Sequence, residues 1–138
     1  LLKANVRNLL NKSHQMRNLP TANNVRQEIQ DKKQREVFDK LVELVNANLT
    51  DQQFSVDHLC LELGMNRTKL YSFIKSTTGM SLGNYIRKIR LDKAAELLRT
   101  TDMSISEVGY AVGIESPSYF TRTFKEQFGS SPSEFIKH

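Results

Sequence analysis

The chain has 138 residues, 38% of them hydrophobic and 25% charged, with a formal net charge of +5, a composition that suits an ordinary globular protein with a real core. No run approaches the roughly 18 apolar residues of a membrane span, so no membrane contact is expected and cytoplasmic residence is the default. The single cysteine, Cys60, excludes an internal disulfide, and His14, His58 and His138 are too scattered for a metal cluster, so no metal or other cofactor is expected.

The chain opens on Leu1-Leu2-Lys3 with neither Met nor a signal-peptide pattern, and is expected to be a fragment of something longer. Leu2, Val6, Leu9 and Leu10 recur at helical spacing opposite basic residues, which predicts an amphipathic helix within 1–19. Thr21-Ala22-Asn23-Asn24 reads as linker, extended here over 20–34. The main domain is expected over 35–138, beginning with a helix that places Val37, Leu41, Leu44, Val45 and Leu49 on one face.

From Ser55 onward short helices follow one another, each with a start signal. Ser55 precedes Val56, Leu59, Cys60 and Leu63, and Gly64 is placed to end that helix. Asn66 caps a second helix through Leu70, Phe73 and Ile74, which stops before Gly79. Ser81 opens a longer helix over 82–99, Ser104-Ile105-Ser106-Glu107 is a capping box for a helix ending at Gly113, and Ser116-Pro117 starts the next. Ser131-Pro132-Ser133-Glu134 starts a last, short one. The predicted fold is all-α.

These elements repeat. Shifted by 49, Ser55, Val56, Leu59, Leu63 and Gly64 fall on Ser104, Ile105, Val108, Val112 and Gly113. Shifted by 50, Leu70, Ile74, Lys75, Gly79, Ser81, Tyr85 and Ile86 fall on Phe120, Phe124, Lys125, Gly129, Ser131, Phe135 and Ile136. Each copy, 55–79 and 104–129, has the order of a helix-turn-helix, so the chain reads as two such units joined by a long helix.

In the second helix of each copy one face is apolar. The other carries Thr68, Tyr71, Ser72 and Lys75 in the first copy, and Ser118, Thr121, Arg122 and Lys125 in the second. Such side chains hydrogen-bond base edges and phosphates, and an arginine can grip a guanine bidentately. The stripe is built twice behind a duplicated turn, which favours reading of double-stranded DNA over simple solubility. Charge agrees: residues 1–36 hold eight Lys and Arg against three acids, 66–138 eleven against seven, and 37–65 one against five. The joining helix would be about 27 Å long, against about 34 Å between successive major-groove faces, and its Arg87, Lys88, Arg90 and Lys93 are candidate phosphate contacts.

Residues 50–138 closely resemble the DNA-binding domain of the AraC/XylS transcription regulators. The resemblance rests on Ser104-Ile105-Ser106-Glu107-Val108-Gly109-Tyr110-Ala111-Val112-Gly113-Ile114, on Ser118-Tyr119-Phe120-Thr121-Arg122-Thr123-Phe124-Lys125, and on Phe128-Gly129-Ser130-Ser131-Pro132-Ser133-Glu134-Phe135. Ile114 stands where the family usually has Phe, and Leu82-Gly83 where many members have Ser-Pro. The resemblance implies base contacts from Arg67, Thr68, Tyr71 and Ser72 and from Ser118, Thr121 and Arg122. It also implies phosphate contacts from Lys75, Lys125 and the helix start at Ser116.

Residues 1–10 are similar to the last helix of a response-regulator receiver domain, which implies the output part of a hybrid two-component regulator, with homodimerisation through upstream regions. A dimerisation or phosphate-binding arm is the other reading of that helix. Two further classes stay open. The chain could be the regulatory part of a DNA-repair methyltransferase, with Cys60 as nucleophile; its place beside Val56, Leu59 and Leu63 reads instead as a small core residue, and burial raises a thiol pKa. A protein-interaction or dimerisation module would need apolar anchors on the stripes, where Tyr71 is the one candidate.

Overall fold

The computed structural model describes residues 21–51 and 54–136. The amphipathic helix expected within 1–19 lies outside the described residues, and so does its receiver-like stretch. The described residues form eight helices and no strand: α1 (Ala22–Glu28), α2 (Lys32–Ala47), α3 (Val56–Leu63), α4 (Arg67–Thr78), α5 (Leu82–Thr100), α6 (Ile105–Ala111), α7 (Pro117–Phe128) and α8 (Pro132–Ile136). The fold is all-α, with α3–α4 and α6–α7 as the two helix-turn-helix units and α5 between them.

The helix starts are set by local chemistry. Ser55, Asn66, Ser81, Ser104 and Ser116 each accept a backbone N–H from the residue three positions on, which satisfies a donor that the first turn otherwise leaves without a partner. At Ser104 the box is reciprocal, because Glu107 Oε1 accepts the Ser104 N–H at 2.8 Å. Ser131 and Glu134 repeat that exchange at the start of α8.

Residues 20–34, expected as linker, are a correction. Thr21 Oγ1 caps α1 by accepting from Asn24 N at 3.1 Å, and Val25 and Ile29, one helical turn apart, are buried in the first core. Arg26 pairs with Asp39 of α2 at 2.9 Å, and Arg35 Nη2 donates to Ile29 O at 2.8 Å. The polar run Thr21–Asn24 conceals this two-residue apolar pattern. In α2 the buried residues are Phe38, Leu41 and Val45; Val37, expected on that face, is only half-buried, and Phe38 stacks toward Tyr85 with ring centroids 6.0 Å apart.

Two cores flank α5. The first gathers Phe38, Leu41, Leu59, Leu70 and Ile74 with Leu82, Tyr85 and Ile89 from the first half of α5. The second gathers Leu91, Ala94, Ala95 and Leu98 from its second half with Val108, Val112, Ile114, Phe120 and Phe124. Each fully buried large apolar side chain stabilises its unit by about 1.5–3 kcal/mol. Because α5 contributes a different stretch to each core, it is a shared wall, and Leu49 packs against both. The repeat extends into a third helix: Phe135 of α8 meets Phe124 at 5.2 Å and Phe128 at 5.8 Å, where Tyr85 serves the first unit.

Candidate nucleic-acid interface

All ten residues expected to meet DNA are exposed: Arg67, Thr68, Tyr71, Ser72 and Lys75 on α4, and Ser116, Ser118, Thr121, Arg122 and Lys125 at the start and along the outer face of α7. They stay outside because the other face of each helix is committed. Leu70, Ile74 and Thr78 anchor α4, and Phe120, Thr123, Phe124 and Gln127 anchor α7. The buried threonines satisfy their hydroxyls on their own helices, Thr78 on Ile74 O at 2.7 Å and Thr123 on Tyr119 O at 2.9 Å.

Helix α7 is seated by a close approach. A Cβ at Gly109 of α6 would lie 3.1 Å from Ile114 O and 3.3 Å from Phe120 Cδ2, so the absence of a side chain there lets α6 and α7 pack at this distance.

The two stripes are organised differently. On α4, Arg67 pairs with Asp57 of α3, Nη2 to Oδ1 at 2.9 Å, and donates from Nη1 to the Tyr71 hydroxyl at 3.2 Å. These bonds to Tyr71 and Asp57 raise the Arg67 pKa further above its ordinary value. Lys75 donates to Gly79 O at 3.2 Å, at the end of the same helix. On α7, Arg122 lies over the Tyr119 ring, 5.3 Å from its centroid, and Tyr119 in turn accepts a hydrogen bond from Arg87 Nη1 at 3.1 Å. Ser116 Oγ lies 3.3 Å from Ser118 Oγ and borders a cleft of about 610 Å³ between α5 and α7, which Asn84, Arg87 and Tyr119 also line.

Sequence reasoning missed Asp57 and Tyr119 as the groups that orient the two arginines. Tyr119 had a local signal, an aromatic three residues before Arg122 on one helix. Asp57 had none, since its meeting with Arg67 depends on how α3 turns into α4.

The joining helix differs from its expected phosphate role. Lys88 is only 4% exposed and pairs with Asp92 at 2.6 Å, while Asp92 Oδ1 accepts from Gln127 of α7 at 2.8 Å. Arg90 gives its guanidinium to two backbone carbonyls, Leu49 O and Val112 O. Lys88 is thus committed inside the protein, and Arg90 commits its Nη1 to the backbone while also lining the cleft beside Ser116. Arg87 and Lys93 remain partly accessible, Lys93 beside Glu96 at 2.8 Å. Cys60 is half-buried against the first core. Among the described residues no group of three or more His, Cys, Asp or Glu could hold a metal, and no helix is long and apolar enough to cross a membrane.

A family model described as a helix-turn-helix domain matches residues 59–138. Over 100 residues the chain is 37% identical to "Histidine kinase P4" of Formosa agariphila, covering 72% of this chain and 7% of that protein. A transcriptional regulator from Chromobacterium violaceum, described among AraC-type DNA-binding domain-containing proteins, superposes with a TM-score of 0.70 at 27% identity, over 78% of this chain and 95% of that one. The DNA-binding domain of AdpA, solved in complex with a target DNA, gives a TM-score of 0.63 at 28% identity, over 78% of this chain and 92% of that one. The chain spans between 7% and 32% of the length of the first curated relatives it matches.

Proposed function

Since the chain belongs to the AraC/XylS family of helix-turn-helix DNA-binding regulators, we propose that it reads an asymmetric site on double-stranded DNA, with α4 and α7 entering adjacent major-groove segments. The observation that carries this reading is the duplicated stripe of hydrogen-bonding side chains on the exposed face of the second helix in both units. Thr68, Tyr71 and Ser72, and Ser118, Thr121 and Arg122, meet base edges; Arg67 joins them by exchanging Asp57 for a base or a phosphate. Lys75, Lys125 and the cleft beside Ser116 take phosphates. The arginines occupy different places in the repeat, Arg67 aligning with Pro117 and Arg122 with Ser72, so the two units read different sequences.

The module works in the cytoplasm as the output end of a larger two-component protein. Similarity to a stretch covering 7% of a protein named as a histidine kinase supports that placement. A homodimer formed through upstream regions would present two such modules to two sites. The methyltransferase alternative loses support because Cys60 packs against a core rather than facing a reaction space. A protein-interaction role would draw on Leu61 and Tyr110, the strongly exposed apolar residues at matching positions of α3 and α6, and not on the stripes.

The test is selection of bound duplexes from a random 30-base-pair pool at about 150 mM salt. Two short enriched blocks about one helical turn apart are expected. A pool without enrichment, bound only at low salt, would reduce the protein to a phosphate binder.

A further inference from the structure

Arg90 occupies the junction of the two units. From the middle of α5 its Nη1 donates to Leu49 O, in the turn after α2, and at 2.8 Å to Val112 O, at the end of α6. One side chain therefore ties the segment that leads into the first unit to the turn of the second. The carbonyl at the end of α6 sits at the negative end of a helix dipole, which favours the cation. The guanidinium is half-buried, and burial lowers its pKa, yet an arginine remains charged at any physiological pH.

The repeat shows that this contact serves the junction and not the turn itself. Gly64 and Gly113 hold equivalent positions with φ of +66° and +83°. A Cβ at Gly64 would meet nothing within 4 Å, whereas one at Gly113 would collide with Arg90 Nη1 and Leu49 O. Both turns need a left-handed residue, but only the second also needs the space through which Arg90 reaches Leu49.

We propose that Arg90 is a positioning residue for DNA reading: by holding Leu49 O and Val112 O together it sets the placement of α7 relative to α4, and with it the number of base pairs tolerated between the two blocks. The inference rests on the two-block reading above. Its physical basis is that one base pair moves a block by about 3.4 Å and about a tenth of a turn, so spacing is enforced only when the junction is stiffer than that. Both bonds leave the same nitrogen, Nη1, and a lysine has a shorter reach, so its ammonium holds the two carbonyls less rigidly.

The experiment uses the two selected blocks at their natural spacing and at one and two base pairs more or fewer, together with a duplex carrying the second block alone. Wild type, Arg90→Met and Arg90→Lys are titrated on each, and folding is checked by circular dichroism and thermal melting. Wild type should lose about tenfold or more in affinity for a one-base-pair change. Arg90→Met should bind all spacings within about threefold of one another, with Arg90→Lys intermediate, and because Arg90 also lines the cleft beside Ser116 each series is read against the single-block affinity of the same variant. A purely structural role would lower the melting temperature and leave the spacing penalty intact, so a folded Arg90→Met with the wild-type penalty overturns the proposal. If Arg90→Met does not fold, Arg90→Lys decides, and a wild-type penalty there overturns it equally. Should wild type select no pair of blocks, the two-block reading itself fails and this proposal goes with it, an outcome visible before any variant is made.

Discussion

Arg122 holds its guanidinium over the ring of Tyr119, 5.3 Å from the centroid and nearly one helical turn back on α7. Tyr119 is itself tethered, its hydroxyl accepting from Arg87 of α5 at 3.1 Å. A flexible side chain on an exposed face is thereby given a preferred direction before DNA arrives, which lowers the entropy lost on binding.

Arg122 and Lys125 should separate in their effects. Arg122→Ala should cost about 1–3 kcal/mol on the cognate duplex and relax one base position, while Lys125→Ala should weaken all sequences alike and reduce the salt slope by about one. Titration on cognate and scrambled duplexes across a salt series checks both, and equal losses on the two duplexes for Arg122→Ala would remove it from base reading.

Tyr119→Leu should weaken cognate binding through Arg122. A double-mutant cycle between the two positions should return a coupling of about 0.5–1 kcal/mol. Additive effects would mean that the ring does not position the guanidinium.

Lys88→Ala should behave oppositely to Lys125→Ala. Lys88 is 4% exposed, so truncation removes a packed stem together with the ion pair to the exposed Asp92, and urea unfolding should report a loss of about 1 kcal/mol. The salt slope of DNA binding should not change, because this lysine does not face a phosphate. A slope reduced by one would contradict its burial.

Burial and the nearby Asp92 push the Tyr85 hydroxyl up to about 12 from its ordinary 10.0. Below pH 10 folded and unfolded chains both keep this proton, and the stability is intact. Between pH 10 and 12 the unfolded chain releases it while the folded chain holds it, so stability should fall by about 1–2 kcal/mol as pH rises. Tyr85→Phe should remove that part of the alkaline decline. The check is denaturant unfolding of both proteins at pH 9, 10 and 11.

Much of this protein was legible from local pattern. Capping signals act over three residues, so Ser55, Asn66, Ser81, Ser104 and Ser116 could be placed without any tertiary information. The exposed stripes followed from helical period, since fixing Leu70, Ile74, Phe120 and Phe124 inside leaves Thr68, Ser72, Ser118 and Arg122 outside. Where such a signal was faint it failed, as at α1, whose apolar pattern consists of Val25 and Ile29.

On α5 the pairs Lys88–Asp92 and Lys93–Glu96 are local, at i,i+4 and i,i+3, but the burial of Lys88 and the partners of Arg90 were decided by tertiary structure. Periodicity places Lys88 and Arg90 on a helix, but their fates depend on Gln127, Leu49 and Val112, carried by other elements and brought close only when the two cores close on α5. Arg67 finds Asp57 for the same reason. A charge on a helix surface is the same letter whether water, a carbonyl or a phosphate faces it. Local sequence determines which residues are helical and which face is apolar; the packing of distant segments determines what each remaining charge meets.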